Sequence, residues 1–338
     1  MVTLAEPTAR VRWGIIGTGN IAGNFADDLR LSPLGELVAV ASRSVDRATA
    51  FQARTGAQRS YASHADLLDA DDIDAIYIAV PHAAHHEVGA AAIESGKAVL
   101  LEKPFTINLA EATDLVHRAR ERGTFLMEAM WSRHLPHMRR IRELLAEGRL
   151  GDVRLVTAEH GVWFARNPSH RMFDIGLGGG ALMDLGIYPI SFAAMVLGDP
   201  VSISASAQFG DTGVDAQTAV LMQYGDGRQA IANATMQSWL ANEATIAGTD
   251  GRIDVDGMFY RPTSFTLTTR SGAVERYEFA VPGNGLRFQA EEVSRCLIEG
   301  LTESPALPLD ETCRIMATMD AIRSQIGLSY PADDATIG

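Results

Sequence analysis

Through the first 130 residues, short apolar runs alternate with longer stretches whose apolar positions recur at helical spacing. The runs predict strands over 11–16, 37–41, 75–79, 98–101 and 124–128. The stretches between them predict helices over 21–31, 46–55, 85–95 and 109–121. Apolar strands alternating with helices specify a parallel sheet covered on both faces. After about Gly151 the pattern changes. Strands are predicted over 153–164, 201–209, 216–224, 229–238, 244–247, 252–255, 265–269 and 274–279. Tyr224-Gly225-Asp226-Gly227-Arg228 supplies a hairpin turn between two of them. One helix, over 181–197, lies among these strands, and two more, over 286–299 and 309–327, close the chain. The predicted fold class is α/β: a parallel-sheet domain over 1–130, then an α+β domain over 131–338 with a large, mainly antiparallel open sheet. No repeat or low-complexity linker separates them, so the domains are expected to be tightly joined, with the last helix packing back on the first domain.

The 338 residues suffice for two domains with their own cores. A net charge of −13 argues against a nucleic-acid or anionic-membrane surface, since both favour a basic face. The two cysteines, Cys296 and Cys313, form no Cys-x-x-Cys pair, which argues against structural zinc and suits reduced thiols in the cytoplasm. Residues 1–12 lack the pattern of a secretory leader, and no apolar run is expected to reach membrane-spanning length.

The strongest chemical signal is Glu102-Lys103-Pro104, directly after the apolar run Ala98-Val99-Leu100-Leu101. A lysine at the end of a buried strand is costly to desolvate and needs a partner or a task. Upstream, Gly17-Thr18-Gly19-Asn20-Ile21-Ala22 follows a predicted strand and opens a predicted helix. That is the context of a dinucleotide turn, so the first domain reads as a Rossmann domain. Gly17 allows the tight turn, Gly19 a close approach of backbone to pyrophosphate, and the helix start favours the anion. The second strand ends Ala41-Ser42-Arg43-Ser44, with Arg47 one helical turn on. An NAD enzyme carries an acid there. A guanidinium flanked by hydroxyls suits a 2′-phosphate instead, which favours NADP. Val80-Pro81-His82-Ala83-Ala84-His85-His86 follows the third buried strand, so Pro81, His82 and His85 are candidate cofactor contacts, as are Thr18, Asn20, Ile21 and Glu102. No second histidine or cysteine cluster supports a metal.

A second motif is Gly178-Gly179-Gly180-Ala181-Leu182-Met183-Asp184-Leu185-Gly186-Ile187-Tyr188-Pro189. The glycines read as a flexible loop entering a helix. Asp184 and Tyr188 stand four apart and share a face on it. They can converge with Lys103 on a reacting hydroxyl or carbonyl. Trp131, Arg133, Trp163, Phe164 and Arg171 are candidate substrate contacts, with His160 and Phe173 behind them. Core packing is the equal alternative for each.

These motifs, together with Glu128-Ala129-Met130-Trp131-Ser132-Arg133, make the chain resemble the glucose-fructose oxidoreductase and inositol dehydrogenase family over nearly its whole length. Within it, the similarity points to the branch with dimeric dihydrodiol dehydrogenases and NADP-dependent xylose dehydrogenases. Many inositol dehydrogenases carry His where this chain has Tyr188. The resemblance implies Lys103, Asp184 and Tyr188 as the catalytic set, and a homodimer through the open face of the second sheet. It implies hydride transfer between nicotinamide and a sugar or polyol. A dihydrodiol or dicarbonyl, or a non-catalytic NADP sensor, are the alternatives. The chemistry agrees. A tyrosine base near pH 7 needs its pKa, about 10, lowered by roughly 3 units or about 4 kcal/mol. One ammonium at about 4 Å supplies roughly that much at an effective dielectric near 20. Lys103 is therefore expected to lower the Tyr188 pKa, opposed by desolvation of the phenol; the alternative is that Lys103 itself carries the proton. Alternating Val220, Met222 and Tyr224 suit a covered sheet face, against either a second copy or the domain's own helices.

Overall fold

The computed structural model describes residues 10–334; residues 1–9, where no leader is expected, lie outside them. The first sheet holds six parallel strands: β1 (Val11–Ile16), β2 (Gly35–Ala41), β3 (Arg59–Tyr61), β4 (Ala75–Ile78), β5 (Ala98–Glu102) and β6 (Leu126–Ala129). Their order, β3-β2-β1-β4-β5-β6, reverses direction between β1 and β4. In an open α/β sheet, ligands bind outside the carboxyl ends of the strands at such a switch point. The helices are α1 (Asn20–Leu29), α2 (Val45–Thr55), α3 (His64–Leu68), α4 (His85–Glu94) and α5 (Leu109–Arg122). Every residue of β4 and β5 is buried, as strands covered on both faces must be. Ser44 caps α2 and Asn108 caps α5, each by accepting a backbone N–H.

After α6 (Pro136–Ala146) comes an eight-stranded sheet: β7 (Val153–Gly161), β8 (Ser202–Phe209), β9 (Asp215–Gln223), β10 (Gln229–Thr235), β11 (Ala244–Gly248), β12 (Gly251–Val255), β13 (Phe265–Thr269) and β14 (Val274–Tyr277). The order is β14-β13-β12-β11-β7-β10-β9-β8. Only β7 and β10 pair in parallel; the other neighbours are antiparallel. Helix α7 (Ile187–Leu197) packs on β7 and β10. Val220, Met222 and Tyr224 are buried in the same core as Ile190, Ala193 and Leu197. They face the domain's own helix, which removes them as support for a dimer face. Helices α8 (Arg287–Ile298) and α9 (Leu309–Ile326) complete the fold. Helix α9 packs on α5 and β6 of the first sheet and on β8 of the second. Asp28, at the end of α1, accepts the N–H groups of Asn284 (2.9 Å) and Leu286 (2.7 Å) and so ties α8 to the first sheet.

Two further expectations change. The helix predicted over 181–197 opens as a π-turn, Leu182–Gly186, before α7 begins. The helical stretch Ile175–Leu197 is long and apolar enough to span a membrane, against the expectation that no run is. Of its most apolar window, 83% is buried inside the fold, as befits a core helix.

Candidate active site

Parallel strands deliver every residue after their carboxyl ends to one edge of the sheet. Gly17 and Gly19 follow β1, Ser42 and Arg43 follow β2, Pro81 and His82 follow β4, Lys103 follows β5 and Trp131 follows β6. Gly17 has φ +112°, and a Cβ there would overlap the Ala79 carbonyl oxygen. It is the residue that lets the β1 and β4 loops pass closely. Above Gly19 the space is open: among the described residues, nothing beyond its own chain neighbours and helix backbone lies within 4 Å of where a Cβ would be. Gly19 heads α1 without a side-chain cap or an acid in the first turn, unlike α2 and α5. Free N–H groups at a helix start beneath open space are what a pyrophosphate needs. Thr18, Asn20 and Ile21 flank this opening and keep exposed surface. Arg43 and Arg47 are exposed at the β2 end, and Arg43 has no ion-pair partner among the described residues. These residues fit a nicotinamide dinucleotide.

Lys103 crosses from the first sheet to the π-turn of the second domain. Its Nζ donates to the Asp184 carbonyl oxygen (2.9 Å) and to Asp184 Oδ1 (3.1 Å). The same ammonium lies 4.9 Å from the centre of the Tyr188 ring. An ammonium has three N–H groups, so one remains for a ligand. Arg171 Nη2 meets both Asp184 oxygens at 3.1 Å, although the Arg171 side chain is 46% exposed. Burial opposes the charge on Asp184, but Lys103 and then Arg171 outweigh it and hold the carboxyl well below the usual range. Burial also opposes the charge on Lys103, yet Asp184, Tyr188 and Glu102 overcome it and raise its pKa. Trp131 Nε1 lies 2.9 Å from the Tyr188 hydroxyl. An indole N–H can only donate, so the phenol oxygen accepts and its own proton stays available.

The balance at Tyr188 reverses the expected lowering of its pKa. Burial raises the phenol pKa, and Lys103 pulls it down without overcoming that. The resting group is therefore a neutral phenol beside a charged lysine.

Other candidates turn out to be spent within the fold. His85 is fully buried, with Nδ1 2.9 Å from the Pro104 oxygen and Nε2 3.1 Å from the Val80 oxygen. It braces the turn after Lys103 and does not face a cofactor. Glu102 accepts from the Tyr77 hydroxyl and from the Lys103 backbone N–H. Arg133 is buried, bonded to Ser191 and Glu311 and turned from Tyr188 towards α7 and α9, so it leaves the substrate group. Trp163 is 61% exposed and has no ring contact with the cluster among the described residues, whereas Phe164 joins a small core with Leu185 and Met172. His82 stays: it donates Nδ1–H to the Gly178 oxygen (2.9 Å) and sets Nε2 3.7 Å from Asp184. The glycine loop is packed, not flexible. A Cβ at Gly178 would strike Ile107, at Gly179 the Arg171 oxygen, and at Gly180 Asp215.

Tyr260 carries no signal in the sequence, yet it borders the site. Its ring stacks on His160 (4.0 Å) and tilts against Tyr188 (4.9 Å). It lies in a segment with no motif, just after Met258 at φ +62°. With Trp131 it makes the wall around Tyr188 aromatic.

Asp184 also links stability to pH. Its folded pKa lies below the unfolded value of about 3.9, so its stabilisation is present above that pH and is lost as pH falls towards the folded pKa. Asp184→Asn is expected to cost about 3–5 kcal/mol at neutral pH, because it leaves Lys103 uncompensated. In urea melts the gap to the wild type should narrow below about pH 4. A gap independent of pH would contradict the arrangement.

Comparison with known proteins adds relatives to this geometry. The chain is 35% identical over 329 residues to trans-1,2-dihydrobenzene-1,2-diol dehydrogenase of Xenopus tropicalis, covering 95% of this chain and 99% of that one. It is 36% identical to the same enzyme of Mus musculus, covering 96% and 99%. Its fold is similar to that of KijD10, a 3-ketoreductase from Actinomadura kijaniata solved with NADP and TDP-benzene (TM-score 0.82, 28% identity, 94% and 98% covered). An aldose-aldose oxidoreductase from Caulobacter crescentus, at 23% identity and TM-score 0.85 with 94% and 97% covered, shares the fold. The family model for an oxidoreductase family with an NAD-binding Rossmann fold matches residues 11–130, and the GFO/IDH/MocA C-terminal domain matches 138–254. With that fold, turn and lysine-centred cluster, the chain belongs to the GFO/IDH/MocA family of oxidoreductases.

Proposed function

We propose that this protein is an NADP-dependent dehydrogenase acting on a secondary alcohol of a cyclic vicinal diol, in the first instance a trans-dihydrodiol. The observation that carries this reading is the meeting of Lys103, Asp184, Tyr188 and Trp131 at the sheet edge that also carries the open Gly19 turn. Gly17, Gly19 and the start of α1 would hold the pyrophosphate, and Arg43 with Ser42 and Arg47 the 2′-phosphate. When bound, the cofactor supplies a nicotinamide that accepts or returns hydride. Tyr188 transfers the proton at the substrate oxygen, and Trp131 fixes the phenol so that its proton points away from the indole. Lys103 polarises the same oxygen with its remaining N–H. Asp184 holds Lys103 in place and keeps it charged.

The aromatic surroundings of Tyr188 support a flat, unsaturated ring, as do the curated relatives. A pyranose sugar is the second reading, favoured by Arg171 and His82 beside Asp184, whose donors suit several hydroxyls. The homodimer expected of the chain would use the second sheet's face away from α7, where Ile231 is exposed. Localisation in the cytoplasm belongs to the same proposal.

The test is a panel of cyclic diols and aldoses assayed separately with NADP and NAD. NADP is expected to be preferred. Arg43→Ala should raise the KM for NADP about 10–100-fold, the worth of a charged hydrogen bond, and leave NAD within a few-fold. A strong preference of the wild type for NAD would overturn the assignment of Arg43.

A further inference from the structure

We propose that Asp215 is the positioning residue of the catalytic turn, acting through the main chain of Asp184 on Lys103; the inference rests on the proposed role of Lys103. Lys103 is held not only by the Asp184 side chain but by its backbone carbonyl, at 2.9 Å. The placement of the main chain at 184 therefore sets where the ammonium sits. That main chain enters a π-turn, and the Asp184 N–H reaches the Gly180 oxygen only at 3.4 Å.

Asp215 adds a constraint from the second sheet. It begins β9 and is fully buried. Its Oδ2 accepts the Leu182 N–H at 2.8 Å, at the first residue of the π-turn, and the Thr218 hydroxyl at 2.6 Å. Its Oδ1 has no hydrogen-bond partner among the described residues and sits against Gly180, at φ +117°, where any Cβ would overlap it. On the neighbouring residue, the Tyr330 hydroxyl donates to the Gly179 oxygen at 2.7 Å. Tyr330 is itself anchored through its N–H to Asp333, which pairs with Arg323 of α9. The two residues that feed the turn are thus gripped from β9 and from the C-terminal segment.

A carboxyl in this place is expensive. No Lys or Arg pairs with it among the described residues, and burial pushes its pKa up to about 7. Its chain neighbours Val214 and Ala216 belong to an apolar cluster with Ala181 and Leu185. An apolar residue would pack there without that cost, but would leave the Leu182 N–H unpaired and the π-turn free to shift. The arrangement makes sense if the position of the turn matters more than its burial.

The chain has only two lysines, Lys97 and Lys103, so the effect can be read directly. Protein labelled with 13C at lysine Cε gives two lysine signals, assigned with Lys103→Arg. In Asp215→Ala the Lys103 signal is expected to move towards that of a free lysine, and its pKa to fall towards about 10.4. In Asp215→Asn, whose amide oxygen can still accept from Leu182, Lys103 should keep its wild-type signal. Lys97 should not move in either variant. With a working substrate, kcat of Asp215→Ala should fall about tenfold or more at unchanged KM for NADP, and Asn should restore most of it. If the alanine variant does not fold, Asp215→Ser, too short to reach Leu182, should displace Lys103 in the same way. An unmoved Lys103 in a folded Ala or Ser variant overturns the proposal, as does equal displacement of both lysines. The spectra need no turnover, so a wrong substrate class would leave this result standing.

Discussion

Lys103→Met is expected to lower kcat about a thousandfold or more, the equivalent of about 4 kcal/mol of barrier, while NADP still binds. The size follows from how few charges the site holds. Lys103 is nearly buried and pairs with a buried Asp184, so its field acts where water does not screen it. Methionine keeps the stem and loses every N–H. Asp184 would then be left with Arg171, which is half exposed and can turn outwards. Cofactor titration by fluorescence separates chemistry from binding. A variant that binds NADP and keeps more than a tenth of the wild-type rate would remove Lys103 from the mechanism.

Tyr188→Phe is expected to cost about a hundredfold to ten-thousandfold in kcat, the range for a lost general acid or base. It should also change the pH profile. Because burial keeps the phenol pKa above its ordinary value, Tyr188 is neutral at pH 7 and ready to donate. Carbonyl reduction should then hold steady through neutral pH, and alcohol oxidation should rise as the solution becomes alkaline. The phenylalanine variant should lose that rise. The Trp131 indole, deprived of its acceptor, would also be left with an unpaired buried N–H. An unaltered alkaline limb in Tyr188→Phe would assign the proton to another group.

The parts of the site that are legible in the sequence carry their own punctuation. Lys103 stands between a buried apolar run and a proline. Gly17 and Gly19 stand between a strand and a helix. Asp184 and Tyr188 share a face because the turn between them is helical, even though it is a π-turn. What escapes depends on long-range packing. Arg133 and His85 have residue types that suit a ligand, but their partners, Glu311 and the Pro104 carbonyl, come from distant or irregular segments. Tyr260 is one aromatic among several until the sheet brings it to His160. Val220, Met222 and Tyr224 alternate as a covered face should, and only the position of α7 decides what covers them. The glycines at 178–180 show the same limit. Their composition signals conformational freedom, whereas their neighbours show that the absent side chains are space already taken. The sign of the Tyr188 shift needs the burial of the phenol as well as the charge beside it.

The most direct test is the absorbance of reduced nicotinamide when wild-type protein and Lys103→Met are each given NADP and the panel of cyclic diols and aldoses. The expected result is reduction of NADP by the wild type with at least one member, a trans-dihydrodiol foremost, and none by the variant although it binds NADP. A wild type that binds NADP and stays silent across the panel, or a variant as fast as the wild type, would contradict it.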